Sequence, residues 1–193
     1  MIFIEKINKL VYEYNNALCE VKDEAILYGV FEQKPPLAKH IVFNPMPDEV
    51  KKRLVENYKL NFPKQLLTLY SVFNGVNLFW RCLTIGEKNI KIPISCFSIY
   101  GVPLTYDRQH IEPFNISIED LNRQNGTPTS WLKFGSYYKP NDLFNRFDLF
   151  IDTESEQVFA VKHGIDTCEV SEKWDSIDNC LCCIFDLLKN NTD

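Results

Sequence analysis

Apolar and polar residues alternate along this chain at two different periods, and the changes of period mark out its elements. From Ile2 to Leu18, the residues Ile4, Ile7, Val11, Tyr14 and Leu18 recur at 3-4-3-4 spacing, with Glu5, Lys6, Lys9 and Glu13 turned away. That spacing predicts an amphipathic helix. Ala25 to Phe31 is short, apolar and partly β-branched, as an early strand would be, and Pro35-Pro36 then marks an extended connection. Pro45 and Pro47 lead into a second helix from Asp48 to about Tyr58. Val50, Leu54 and Tyr58 form its stripe, and Asp48 and Glu49 sit in the first turn, where the helix dipole favours negative charge.

The stretch Phe62 to Trp80 packs three signals into nineteen residues. Pro63 lacks an N–H and fixes φ, so it suits the first position of a helix. Leu66, Leu67, Leu69, Tyr70 and Phe73 supply the apolar face. Asn74-Gly75 then stops the helix, because glycine accepts the left-handed conformation, and Val76 to Trp80 begins a strand. Beyond it Leu78, Trp80, Cys82 and Thr84 alternate with Phe79, Arg81, Leu83 and Ile85 until Gly86. Asn89 to Tyr100 is a second extended stretch, where Pro93 signals an edge or a bulge. Tyr106 to Phe114 reads as loop. Ser117 to Asp120 has capping-box spacing and opens a short helix that Gly126 stops.

Trp131 to Phe134 reads as a strand closed by a Gly135-Ser136 turn, with a polar, aromatic loop from Tyr137 to Asn145. The clearest hairpin joins Phe147–Ile151 to Gln157–Lys162 through Thr153-Glu154-Ser155-Glu156. In its first arm Phe147, Leu149 and Ile151 face one way, and Asp148, Phe150 and Asp152 the other. Cys168 to Val170 is a further strand. A closing helix from about Ser176 carries Ile177, Leu181, Ile184 and Leu188 at 4-3-4 spacing.

Composition narrows the class. The 193 residues are 45% apolar and 24% charged, as in a soluble globular domain long enough to bury a core. No run reaches the roughly 18 apolar residues a membrane span needs, and the charged N-terminus lacks the apolar centre of a signal peptide, so the expected location is cytoplasmic. Seven cysteines without framework spacing read as reduced thiols. Cys180 and Cys183 share a helix face, but no second CxxC pair completes a zinc set, and no metal or other cofactor is expected.

The net charge of −5 argues against nucleic acid as a direct ligand. It is also unevenly spread: residues 1–140 carry 17 Lys+Arg and 14 Asp+Glu (+3), whereas residues 141–193 carry 4 and 12 (−8). An acidic C-terminal quarter suits a basic protein partner, because complementary charge steers encounter, or it is simply a solvated surface.

The run from Pro45 to Trp80, and within it Pro63, Leu66, Tyr70, Asn74 and Gly75, resembles the signature of the SUKH superfamily, which includes Smi/Knr-like regulators of cell-wall assembly. Ile99 to Val102, Trp131 to Tyr138, Phe147 to Gly164 and the closing helix resemble the rest of that family's pattern, over about residues 45–188. The segment before Pro45 and the insertion between Tyr106 and Trp131 depart from it.

The resemblance implies a single α+β domain over residues 1–193, with a mixed, mostly antiparallel sheet flanked by helices and residues 1–44 as an N-terminal helix and extension. It also implies a non-enzymatic binding module. The first reading is an immunity protein that neutralises a basic toxin domain, often a nuclease, by direct contact, as a monomer or weak dimer. The alternative is a regulatory scaffold in cell-wall or stress signalling.

Candidate contact residues are the aromatics Phe79, Trp80, Tyr100, Tyr106, Tyr137 and Tyr138, since Tyr and Trp dominate hot spots, and the acids Asp142, Asp148, Asp152, Glu154 and Glu156. For the aromatics the other possibility is core packing, and for the acids solvation. A third reading is a hydrolase pairing Asp148 with Asp152. The chain carries no P-loop, GxGxxG, GxSxG or HExxH motif to support an enzyme.

Overall fold

The computed structural model describes residues 1–13, 19–22, 25–31, 37–57, 62–85, 90–101, 128, 130–140, 142–163 and 168–191. Among them nine strands succeed one another in chain order across one sheet: β1 (Cys19–Lys22), β2 (Ala25–Phe31), β3 (Leu37–Phe43), β4 (Val76–Ile85), β5 (Ile90–Ile99), β6 (Trp131–Lys139), β7 (Asp142–Asp152), β8 (Val158–His163) and β9 (Cys168–Trp174). Every adjacent pair is antiparallel, so the described sheet is a meander rather than a mixed one. Among the described residues four helices accompany it: α1 (Ile2–Glu13), α2 (Asp48–Asn57), α3 (Lys64–Tyr70) and α4 (Ile177–Lys189). The architecture is α+β.

One face of the sheet is covered by α1, α3 and α4, and a single apolar cluster joins these helices to the strands beneath them. The predicted stripe of α4 is the buried one: Ile177, Leu181, Ile184 and Leu188 are all enclosed, joined by Cys180 and Phe185. Ser176 caps this helix by accepting from Asn179 N–H at 3.2 Å. In α1 the buried residues are Phe3, Ile7 and Leu10, a stripe rotated from the predicted one, with Ile4 and Val11 at its margin. Phe3 sets the rotation, since its ring meets Phe73, Phe97 and Phe185 edge-on at centroid distances of 6.4, 5.9 and 6.1 Å. Tyr14 and Leu18 lie outside the described residues, as do Pro35-Pro36, Tyr58, the Tyr106–Phe114 loop and the Ser117–Asp120 capping box.

The two long helices run side by side in the same direction. Asp178, in the first turn of α4, accepts from the Ile2 and Phe3 N–H groups of α1 at 2.9 Å each. Further along, Lys6 pairs with Asp186 and Glu13 with Lys189. A carboxylate from the distant end of the chain therefore satisfies the free donors at the start of α1.

The junction after α3 matches the sequence expectation in one respect and differs in another. Pro63 takes the N-cap position, one residue earlier than expected, and the helix ends at Tyr70 rather than running to Asn74. Gly75 adopts φ +99, and an added Cβ there would lie 2.7 Å from the Ile99 carbonyl oxygen, so only glycine fits the entry to β4. The Tyr70 hydroxyl donates to the Tyr100 carbonyl at 2.9 Å and ties α3 to the end of β5.

Three sequence expectations need correcting. Gly135-Ser136 is not a turn but the middle of β6; Gly135 is there because β5 passes so close that a Cβ would meet Ser98 O at 2.6 Å. Tyr137 to Asn145 is not a loop, since β6 continues to Lys139 and β7 starts at Asp142. The simple alternation in β4 fails at Phe79, whose φ of +55 lets consecutive Leu78 and Phe79 both enter the helix-side core. Strands β1 and β3 are additions that the sequence pattern does not predict. The hairpin of β7 and β8 and the strand at Cys168 are where the sequence puts them.

Candidate functional site

The second face of the sheet, opposite the helices, holds the most polar buried group among the described residues. The β6–β7 register sets Ser136 across from Asp148 and Lys133 across from Phe150, which puts Lys133, Asp148 and Phe150 on this face. Asp148 is 3% exposed. Its Oδ2 lies 3.1 Å from Lys133 Nζ, itself 9% exposed, and its Oδ1 accepts from Arg146 Nε at 2.9 Å. Lys133 Nζ also stands 5.6 Å above the Tyr100 ring. Beside this cluster Trp131 stacks on Phe159 at 4.2 Å and leans on Phe150 at 6.0 Å. A carboxylate so enclosed needs both cations, because an unpaired buried charge is costly.

A second set of carboxylates occupies the turn between β7 and β8. Asp152 accepts from Glu154 N–H at 3.1 Å and from the Ser155 hydroxyl at 2.8 Å. Partial burial pushes its carboxyl up, but these bonds outweigh it and hold the group below the usual carboxylate range. Glu156 reaches α3, accepting from Lys64 N–H at 3.4 Å and from Gln65 Nε2 at 3.3 Å. Gln65 in turn accepts from Ile177 N–H at 3.0 Å, so the turn braces α3 against α4. Because Val158 pairs with Trp174, Asp175 and the start of α4 lie at the same end of the sheet as this turn.

A third group lies between the sheet and α4. The Tyr137 hydroxyl donates to Glu172 Oε1 at 3.1 Å, and Lys139 pairs with the same carboxylate at 3.0 Å. Burial, reinforced by Glu172, raises the Tyr137 hydroxyl far above its ordinary value, so it stays protonated. Burial raises the Cys180 thiol as well. No grouping of three or more His, Cys, Asp or Glu side chains suited to a metal occurs among the described residues. An open groove of about 470 Å³ between α2 and α3 is lined by Lys51, Lys52, Val55, Glu56, Leu67 and Ser71.

These positions revise the set of contact residues. Phe79 and Tyr137 belong to the helix-side core, and Tyr100 is enclosed at the end of β5, because each ring packs on neighbouring side chains rather than standing outward. Asp148 is likewise interior, held by Lys133 and Arg146. Trp80, Tyr138, Asp142, Asp152 and Glu156 are half-buried, and Glu154 is exposed. Asp142 is occupied locally, accepting from Asn145 N–H and Nδ2 at 3.2 and 2.9 Å. Tyr106 lies outside the described residues.

Asp148 is bound by Lys133 and Arg146, and Asp152 by its own turn, so the two carboxylates do not form a pair. Sequence reasoning missed Lys133, Arg146, Lys139 and Glu172. Spacing offers one usable signal, since Arg146 and Asp148 sit two apart on a strand and so share its face.

No family model, no curated protein and no solved structure matches the chain. No helix among the described residues is long and apolar enough to cross a membrane.

Proposed function

We propose that the chain is a non-enzymatic binding module of the immunity type, which neutralises a basic toxin domain by covering it. The observation that carries this reading is the acidic end of the sheet. There Glu154 and Asp175 are exposed at the same end as the half-buried Asp152, Glu156 and Asp178, with Lys64 an exposed cation among them, within a C-terminal quarter of net charge −8. A surface of one sign speeds encounter with a partner of the other sign and selects against wrong partners. The resemblance of the Pro45–Trp80 run to the SUKH pattern supports the same reading, and helices α2 and α3 followed by antiparallel strands are the order that the pattern calls for.

The hydrolase reading has no such support, because Asp148 is neutralised by two cations and Asp152 is engaged in a turn. The test is co-expression with the toxic protein encoded by the adjacent reading frame. Restored growth is expected, with a stoichiometric complex whose association slows as salt rises, and slows further in Glu154→Lys/Asp175→Lys. Failure to protect, or association indifferent to both salt and the double variant, would overturn it.

A further inference from the structure

The β3–β4 ladder is short, with two register pairs, Ile41 with Asn77 and Val42 with Val76, against three between β5 and β6, and Phe43 N–H extends it at one end by donating to Gly75 O at 3.2 Å. By contrast β4 and β5 pair along nine positions. At the next residue of β3, a side chain takes over from the ladder: His40 Nδ1 accepts from the Phe79 N–H at 3.2 Å. The two rings meet edge-on, 5.1 Å apart at 87°. His40 is 1% exposed, and Phe79 holds φ +55, a conformation that aromatic residues rarely adopt and that persists only where its surroundings enforce it. On its far side the Phe79 ring rests on Phe185 of α4 at 5.4 Å.

We propose that His40 is an acid-sensitive latch at this joint: protonation of Nδ1 removes the acceptor of the Phe79 N–H and lets β1–β3 separate from β4–β9. An imidazole that accepts at Nδ1 is neutral and carries its proton on Nε2. Adding a second proton turns the acceptor into a donor facing a donor, inside the protein. The charged groups near the ring oppose that charge further. Lys39 approaches from its own strand, and Lys189 from α4, the latter paired with Glu13 of α1 at 2.9 Å. From β4 the facing group is Phe79.

The sign is set by linkage. Burial, then Lys39 and Lys189, lowers the His40 pKa from 6.5 to about 3 in the closed form. An opened, hydrated imidazole titrates near 6.5. The closed joint is therefore fully favoured above that value and loses ground as pH falls towards 3. Relative to high pH, proton uptake alone favours the open form about 4-fold at pH 6 and about 30-fold at pH 5. These factors depend on the open-state value as long as the closed-state one stays well below 5.

Hydrogen exchange resolved by strand, at pH 7, 6 and 5, tests the proposal in the wild-type chain and in His40→Gln, whose side-chain oxygen can accept without titrating. Protection in β3 and at Phe79 is expected to fall about 25-fold from pH 7 to pH 5, while β6, β7 and β8 hold theirs. In His40→Gln that selective fall should vanish. An equal fall in the variant, or a uniform fall across the sheet, would overturn the latch. If His40→Gln does not fold, nitrogen chemical shifts of His40 in the wild type decide the matter, and a protonated Nδ1 at pH 7 would sink the proposal.

Discussion

Replacing Asp148 separates a structural role from a contact role most cleanly. The carboxylate is almost fully enclosed and takes Lys133 Nζ at 3.1 Å and Arg146 Nε at 2.9 Å. In Asp148→Ala the Lys133 side chain, 8% exposed, loses this counter-ion, whereas the guanidinium of Arg146, 38% exposed, can turn to water. Stranding one partner of a buried pair costs about 3–5 kcal/mol, whereas losing one of two donors to a buried carboxylate that Lys133 still holds costs about 1–3 kcal/mol. Asp148→Ala is therefore expected to lose about 3–5 kcal/mol, and Arg146→Ala less, about 1–3 kcal/mol, as read from midpoints of urea unfolding at unchanged slope. The double variant Lys133→Met/Asp148→Leu removes both buried charges and should regain most of the loss. Were Asp148 a contact or catalytic residue, its replacement would impair binding or turnover at nearly native stability. An Asp148→Ala loss below about 1 kcal/mol, or one matched by Arg146→Ala, refutes the argument from burial.

Two further substitutions probe how distant parts of the chain are joined. Asp178→Ala removes the acceptor of two α1 N–H groups and should cost about 1–2 kcal/mol in urea unfolding, with Asp178→Asn losing roughly half as much. Gly75→Ala sets a Cβ 2.7 Å from Ile99 O at a backbone φ of +99, and a loss of at least about 2 kcal/mol is expected by the same measurement; a native-like midpoint would contradict a junction that admits only glycine.

What could be read from the sequence depends on how local each cause is. The stripe of α4 and the β7–β8 hairpin are fixed by periodicity and turn residues within about fifteen positions, and both appear as expected. The Asn74-Gly75 signal is also local, since it rests on what one glycine backbone can adopt. Gly135-Ser136 misleads because glycine serves two purposes. Its local pattern is that of a turn former, but it is needed for the close approach of β5, a neighbour that pattern does not identify. Strand β3 hides behind Pro35-Pro36, and its Lys39-His40 pair breaks the apolar run, although His40 is among the most enclosed polar side chains. The positive φ of Phe79 has no sequence signal, because nothing about phenylalanine predicts it.

The acids show the same limit, with a consequence for partner binding. Counting charge treats every carboxylate alike, yet the fold divides them by what they touch. Asp148, Glu172 and Asp186 each face a lysine, so their charge is largely neutralised where it stands. Asp142, Asp152, Glu156 and Asp178 accept from backbone or side-chain amides. Those four add to the field around the protein, but they are already oriented by the fold. Glu154, Glu169 and Asp175 are exposed and can reorient. A long-range field draws a basic partner in through all the uncompensated acids, and salt weakens it beyond about 8–10 Å. Direct contact falls to the exposed few. Composition thus anticipates the sign of the surface, and register decides which carboxylates remain available to meet a partner.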